Sequence, residues 1–241
     1  MRPVFRDASP RGGDYEEYRE SFPDLVGRIG SYCSYCERRI ATNLAVEHIQ
    51  PKSLPAYAHL AGRWDNFLLG CVNCNSTKKD KDVVLANVLL PDRDNTAAAF
   101  DYTEDGRISV RIGLPAATRE MAAATLALVG LDRRASAVMD NNGRLVALDR
   151  VAQRMEVWLT AQSSRDDLLA NPTEAFRRQV ARTARECGFF SIWMAVFADD
   201  IAVRRLLIAE FRGTAADCFD AATSLPISPR PPNGLANGGK V

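Results

Sequence analysis

Two pairs of cysteines with the spacing C-x2-C constrain this chain more than any other feature of its sequence. Cys33 and Cys36 form the first pair, Cys71 and Cys74 form the second, and residues 37 to 70 lie between them. Each pair can form a knuckle that directs two thiolates at one ion, and four thiolates are a common ligand set for tetrahedral zinc. The pairs therefore predict a structural zinc site that joins two distant parts of the chain.

The composition is that of an ordinary globular protein. Of 241 residues, 46% are hydrophobic and 25% are charged, and the formal net charge is +1. A charge so near zero gives no overall positive field, so any surface for nucleic acid must be local. The first residues lack an apolar signal segment and no run of about 18 apolar residues occurs, so we expect a cytoplasmic protein without a membrane span. Cys187 and Cys218 stand apart from the pairs, and we expect them to be buried small apolar residues.

Composition and periodicity predict an α+β chain in four parts. Residues 1–30 are a lead-in segment, 31–95 a zinc-stapled module, 96–223 a hairpin followed by a mainly helical domain, and 224–241 a disordered tail rich in Pro, Gly and Asn.

The element pattern within these parts is specific enough to be checked. Short apolar runs at 44–46 and 67–69 predict two strands, and a helix is expected after Cys74. A helical stretch at 15–29 precedes the module, and Asp105-Gly106 predicts a hairpin turn. Helices are predicted at 116–130, 144–167, 172–188, 190–197 and 199–211, with Asn141-Asn142-Gly143 as punctuation.

Three sequence blocks in and beside the cysteine frame carry a family resemblance. They are VEHIQPK at 46–52, WDNFLLGC at 64–71 and CNSTK at 74–78. Together they resemble the HNH endonuclease family, which has the ββα-metal fold. Three blocks in order are more specific than any single motif that contains a histidine.

The resemblance implies a role for four residues. His48 corresponds to the general base that takes a proton from the attacking water, and Asn66 to the residue that fixes the loop between the strands. Glu47 and Asn75 correspond to the ligands of a catalytic cation, and oxygen ligands of this kind suit Mg²⁺ or Mn²⁺. Because strand neighbours point to opposite faces, Glu47 and His48 can serve one site only through a local distortion or at the strand edge.

Basic residues near these blocks are candidates for binding substrate phosphate. Lys78 belongs to the family pattern, and Lys52 lies in the first block. Other cations that could extend the same surface are Lys79, Lys81, Arg38 and Arg39. Since Asp80 and Asp82 interrupt the lysine run, a solvated helix face explains Lys79 and Lys81 equally well.

The layout of a small module and a helical domain also resembles the nuclease subunit of Septu-type antiphage systems. The phrases EHIQPK at 47–52 and GCVNCN at 70–75 contribute to this likeness. It implies an ATPase partner that docks on the helical half and a role in antiviral defence. The aromatic residues of that half more simply pack a core; they are Trp158, Phe189, Phe190, Trp193 and Phe197.

Two alternatives remain open at the level of sequence. A zinc ribbon that binds DNA or protein without cutting would also need the four cysteines, but it would not need Glu47, His48 and Asn75. A nuclease acting on RNA, including transfer RNA, would use the same residues as one acting on DNA. DNA is the favoured substrate.

Overall fold

The computed structural model describes residues 1–133, 138–139, 145–147 and 150–241. These residues form a mixed α/β structure with small two-stranded sheets and a helical C-terminal part, in agreement with the predicted class. The strands are β1 (Ala45–His48), β2 (Phe67–Gly70), β3 (Phe100–Tyr102), β4 (Ile108–Val110), β5 (Val138–Met139) and β6 (Leu145–Ala147). The helices are α1 (Phe22–Ile29), α2 (Val72–Lys78), α3 (Thr96–Ala99), α4 (Ala116–Val129), α5 (Arg150–Ala170), α6 (Glu174–Cys187), α7 (Phe190–Val196) and α8 (Ile201–Glu210).

The zinc-stapled module consists of β1, β2 and α2. The two strands pair antiparallel, with Val46 opposite Leu69 and His48 opposite Phe67. The side chains of Phe67 and Leu69 are fully buried, so this short hairpin is stabilised by the core beneath it. Both predicted strands are confirmed within one to two residues at their ends.

Helix α2 begins earlier than the sequence indicates. The Cys71 thiol accepts a hydrogen bond from the backbone N–H of Cys74, so the second knuckle itself caps the helix. Lys79 has a φ of 49°, and this left-handed residue ends the helix before the charged run that follows. The helix predicted to continue beyond Lys79 is therefore absent at 79–84, and a single 3-10 turn, Leu85–Asn87, lies further along.

The lead-in segment packs against this module. A 3-10 turn at Tyr18–Ser21 leads directly into α1, where Pro23 occupies the first turn, a position at which proline costs no helical hydrogen bond. Leu25 and Ile29 are buried in the same core as the strands. The segment thus forms one wall of the module.

Four of the five predicted helices, α4, α6, α7 and α8, lie within two residues of their predicted bounds. The helix predicted at 144–167 is wrong at 145–147, because these residues form β6, and α5 is Arg150–Ala170. The side chains of Thr173 and Asp200 cap α6 and α8 by accepting from the backbone N–H groups of Phe176 and Val203. The predicted helix start at 144 and the punctuation at 141–143 lie outside the described residues.

Two hydrophobic cores organise the described residues. The first contains the lead-in segment, the zinc-stapled module, the β3–β4 hairpin and α4; the second contains α6, α7, α8 and part of α5. The sequence groups the hairpin with the helical domain, but the buried side chains of Phe100 and Ile108 lie in the first core. The predicted packing role of Phe189, Phe190, Trp193 and Phe197 is confirmed, since all four are buried in the second core.

The C-terminal segment 224–241 corrects the expectation of a disordered tail. Arg230 is buried, and its guanidinium donates to the carbonyl oxygens of Pro91 and Val4 at 2.9 and 3.0 Å. The backbone N–H of Asn95 donates to the carbonyl of Val241 at 2.9 Å. The segment buries few apolar side chains of its own, but it satisfies polar groups of the first core, which composition does not reveal.

No helix among the described residues is both long enough and apolar enough to cross a bilayer.

Candidate active site and zinc centre

The four paired cysteines converge on one point. Their sulfur atoms all lie within 4.8 Å of one another, and the side chains are buried. The Cys36 and Cys71 sulfurs are 3.7 Å apart, close to the roughly 3.8 Å that zinc–sulfur bonds of about 2.3 Å give in a tetrahedron. Soft thiolate ligands at this spacing fit a structural zinc ion, as the sequence predicts.

The first knuckle also connects the module to the helical part. Glu37 has a φ of 64°, and its buried carboxylate accepts from the backbone N–H and the hydroxyl of Ser191 at 2.8 and 2.6 Å. Its carbonyl accepts from the backbone N–H of Phe189 at 2.9 Å. Gly188 lets the chains approach closely, since a Cβ there would lie 2.6 Å from the Arg39 backbone nitrogen.

A cation from α5 lies beside the second knuckle. Arg150 donates to the Cys74 sulfur at 3.4 Å and to the Val129 carbonyl at 3.0 Å. A zinc ion with four thiolates carries a net charge of −2, so a neighbouring guanidinium compensates part of that charge. The helical part therefore contributes to the surroundings of the zinc centre.

The imidazole of His48, at the end of β1, has a defined orientation. Its Nε2 lies 3.0 Å from the carbonyl oxygen of Ala61. A carbonyl only accepts, so Nε2 carries the proton and Nδ1 carries the lone pair. Burial lowers the pKa of His48, although the bond to Ala61 opposes that shift. The neutral ring that a general base requires is thus favoured near neutral pH.

Glu47 points away from His48, and Lys78 is its partner. The Lys78 ammonium lies 2.8 Å from Glu47 Oε1 and donates to the His48 carbonyl oxygen at 2.8 Å. Both side chains are at least 96% buried. Burial raises the pKa of Glu47, whereas the charge of Lys78 lowers it.

This pairing places Lys78 away from solvent, and the binding of substrate phosphate by Lys78 stays a prediction. Its aliphatic stem is buried against the module and its charge already has an anionic partner, so the ammonium faces inward rather than toward solvent.

Asn75 lies on the same side of the sheet as Glu47. A Cβ placed on Gly70 would be 3.1 Å from the Glu47 Cβ and 3.6 Å from the Asn75 Cγ, so both side chains flank this glycine. A carboxylate and an amide oxygen on the same side of the sheet are the ligand types that a hard divalent cation prefers. Such a cation would have to replace the Lys78 ammonium at Glu47.

The structure thus brings Glu47 and Asn75 together and places His48 on the opposite face. His48 is the last residue of β1, and the strand pairs only with β2 among the described residues. A site that both residues serve would lie at the outer edge of β1, and Lys78 covers the Glu47 carboxylate there. The β1–β2 register is regular, so β1 has no bulge, and a ligand shared at the strand edge stays a prediction.

Asn66 closes the loop between the strands. Its Oδ1 accepts from the backbone N–H of Gln50 at 2.8 Å, and its Nδ2 donates to the Gln50 carbonyl at 2.9 Å. The loop carries Ala61, which is the partner of His48. Asn66 is consequently placed to orient His48 indirectly, and its effect on catalysis stays a prediction.

Of the other predicted cations, Lys52 is exposed to solvent, whereas Arg38 and Arg39 are bound to other residues of the protein. Lys52 is exposed, and its ammonium lies 3.9 Å from the centre of the Tyr18 ring. Arg38 instead donates to Gln153 on α5 at 2.9 Å, and Arg39 pairs with Glu186. Both arginines therefore contact the helical part of the protein.

Sequence reasoning missed three contributors to the site. The carbonyl of Ala61 carries no side-chain signal, and Arg150 resembles any arginine on a helix. Tyr18 contacts the imidazole of His48 with 4.8 Å between ring centres. The only sign of Tyr18 in the sequence is that it is an aromatic residue next to Arg19 in a mostly polar segment.

The comparisons with known proteins bear on the zinc-stapled module. A search among curated proteins finds no match to this chain. Residues 33–81 match the family described as HNH endonuclease. This range contains the four cysteines, β1, β2 and α2, and the family assignment of the segment agrees with the geometry of the site. Residues 33–81 are therefore an HNH endonuclease domain, which indicates a metal-dependent nuclease.

Proposed function

We propose that this protein is an HNH endonuclease that hydrolyses phosphodiester bonds of DNA with the help of Mg²⁺ or Mn²⁺. The observation that carries the proposal is the orientation of His48, whose Nε2 is held by Ala61 while Nδ1 makes no hydrogen bond among the described residues. A zinc ribbon with only a binding role has no need of a partly buried, oriented imidazole with a lowered pKa at the edge of its hairpin.

In the proposed reaction, His48 Nδ1 accepts a proton from water as the water oxygen bonds to phosphorus. The bond between phosphorus and the 3′ oxygen breaks, and the products carry a 5′ phosphate and a 3′ hydroxyl. Glu47 and Asn75 would hold the divalent cation beside Gly70, and the bound cation would stabilise negative charge on the phosphate and the departing oxygen. Asn66 keeps the Ala61 loop in place, and Lys52 supplies exposed positive charge for the substrate backbone.

Cleavage of plasmid DNA by the full chain tests this proposal directly. We expect nicking in the presence of Mg²⁺ or Mn²⁺, and a loss of at least about 100-fold in His48→Ala because general base catalysis contributes about that much. His59→Ala is the matched control, since His59 is the other histidine of the chain and is exposed in the loop. Labelled DNA and RNA of equal sequence, tested in parallel, identify the substrate. Equal cleavage by the native protein and His48→Ala would refute the assignment.

We also propose that the helical part docks an ATPase partner in an antiphage defence system. The resemblance of the 47–52 and 70–75 phrases supports this proposal, as do the exposed side chains of Leu159 and Leu169 on α5, which are 64% and 70% accessible. Co-expression with an ATPase encoded in the neighbouring genes should yield a complex. Leu159→Glu with Leu169→Glu should weaken the complex, whereas Ile112→Glu, 94% exposed elsewhere, should not. Absence of a neighbouring ATPase gene would remove the basis of this proposal.

A further inference from the structure

The imidazole of His48 is held on three sides. Ala61 accepts its Nε2–H, and Phe67 presents its ring at 5.2 Å between centres with an interplanar angle of 86°. On the third side lies Tyr18, at 4.8 Å and 63°. Edge-to-face contacts of this kind restrict ring rotation in addition to burying apolar surface.

Tyr18 lies outside the segment that matches the HNH family, yet its position is fixed. The Ser21 hydroxyl donates to the Tyr18 carbonyl at 2.6 Å and closes the 3-10 turn. Helix α1 follows without interruption and buries Leu25 and Ile29 against the core of the module. The lead-in segment therefore holds the Tyr18 ring against His48.

Two exposed cations gather on the Tyr18 ring. The Lys52 ammonium is 3.9 Å from the ring centre, and the Arg19 guanidinium carbon is 5.6 Å from it. Arg19 Nε also donates to the Tyr18 hydroxyl at 3.2 Å. Cation–π contacts at such distances keep two positive charges near His48. The Lys78 ammonium faces inward, whereas these two residues supply exposed positive charge beside His48.

We propose that Tyr18 is a positioning residue of the nuclease site, holding the His48 imidazole in its productive orientation and placing Lys52 and Arg19 to bind a substrate phosphate. The proposal rests on the nuclease function proposed above. It assigns a role in the reaction to a segment that precedes the HNH domain.

The positioning role is tested first without any cleavage. The chain has only two histidines, so His59→Gln assigns the imidazole proton resonances of His48 by NMR. We expect Tyr18→Leu to shift these resonances and to broaden or split them, because the ring current and the steric restraint are both lost. Tyr18→Phe retains the ring and should leave them nearly unchanged. Unchanged resonances in Tyr18→Leu would overturn the positioning role.

Kinetics provide the second test. We expect Tyr18→Leu to lower kcat at least about tenfold, since small displacements of a catalytic group cost one to two orders of magnitude. Tyr18→Phe should retain most of kcat. Tyr57→Leu is the control for a general loss of structure, because Tyr57 is a loop tyrosine whose hydroxyl donates to Asp82. An unchanged kcat in Tyr18→Leu contradicts the proposal. A native protein that cuts no nucleic acid contradicts the nuclease function instead, and the NMR experiment then decides whether Tyr18 positions His48.

The two cations are tested by binding. In a His48→Ala background, which prevents cleavage, a fluorescein-labelled oligodeoxynucleotide reports affinity at several salt concentrations. We expect Arg19→Ala with Lys52→Ala to weaken binding and to reduce the slope of log K against log salt by about 1.5 to 2. An unchanged slope would show that these residues contact no phosphate.

Discussion

At the scale of single residues, the pairing of Glu47 with Lys78 is the feature that the sequence least reveals. The motif indicates that both residues belong to the site, but it does not show that the ammonium fills the position beside the carboxylate. A buried carboxylate needs a compensating charge, and Lys78 provides it. Cation binding and the position of Lys78 are therefore expected to be linked.

Lys78→Met tests this linkage. Removal of the ammonium leaves Glu47 buried without its partner, so we expect a loss of about 3–5 kcal/mol in the free energy of unfolding. Mn²⁺ should restore part of that loss by binding at Glu47 and should therefore raise the melting temperature of the variant more than that of the native protein. Thermal unfolding with and without Mn²⁺ measures both effects.

Lys79→Met serves as the matched control, because Lys79 is exposed and adjacent. It should change neither the stability nor the response to Mn²⁺. An equal Mn²⁺ response in the native protein and Lys78→Met would argue against competition between the cation and Lys78.

At the scale of elements, the short hairpin and α2 depend on the knuckles. β1 and β2 each contain four residues, and α2 contains seven, all too short to be stable alone. The sequence predicts their existence and order well, because the cysteine spacing and the apolar runs are local signals. It misplaces the start of α2, because a thiol that caps a helix cannot be distinguished by sequence from one that only binds metal.

Zinc removal should therefore unfold the module as a unit. We expect one zinc ion per chain by elemental analysis, and we expect it to survive mild chelation. Cys33→Ser should abolish zinc binding and the cooperative unfolding of the module, as measured by circular dichroism and proteolysis. Cys187→Ser, at a half-buried thiol outside the cluster, should retain the zinc. A zinc-free native chain with unchanged proteolytic resistance would contradict this expectation.

At the scale of the whole molecule, Glu37 joins the two cores. Its carboxylate accepts two hydrogen bonds from Ser191, at the start of α7, while its neighbour Cys36 belongs to the zinc cluster. Sequence reasoning predicts a zinc-stapled module and a helical part but not this contact, because a glutamate beside a knuckle has the same pattern whether it faces solvent or protein. The C-terminal segment escaped prediction for a similar reason, since Arg230 is buried through polar contacts rather than apolar ones.

Glu37→Ala should lower the free energy of unfolding by about 3 kcal/mol, because the two buried hydrogen bonds from Ser191 to the charged carboxylate are lost. In a chain of this size each kcal/mol lowers the melting temperature by roughly 2–4 °C. A double-mutant cycle with Ser191→Ala isolates the contact, and we expect the two losses to be non-additive by about 1 kcal/mol. Glu16→Ala, at an exposed site, is the control. Strict additivity would show that Glu37 acts through some other contact.

If the chain cuts duplex DNA at the outer edge of β1, as proposed, the location of His48 and Glu47 on opposite faces of one strand also limits how the duplex is cut. The described residues offer a single such edge, and only one backbone can lie over it, because the two strands of a duplex run on separate sides of each groove. Each productive binding event should then cut one DNA strand and leave the other strand intact. Relaxed circles should accumulate before linear molecules, and complete breaks should arise only from a second encounter or from two copies acting on facing strands.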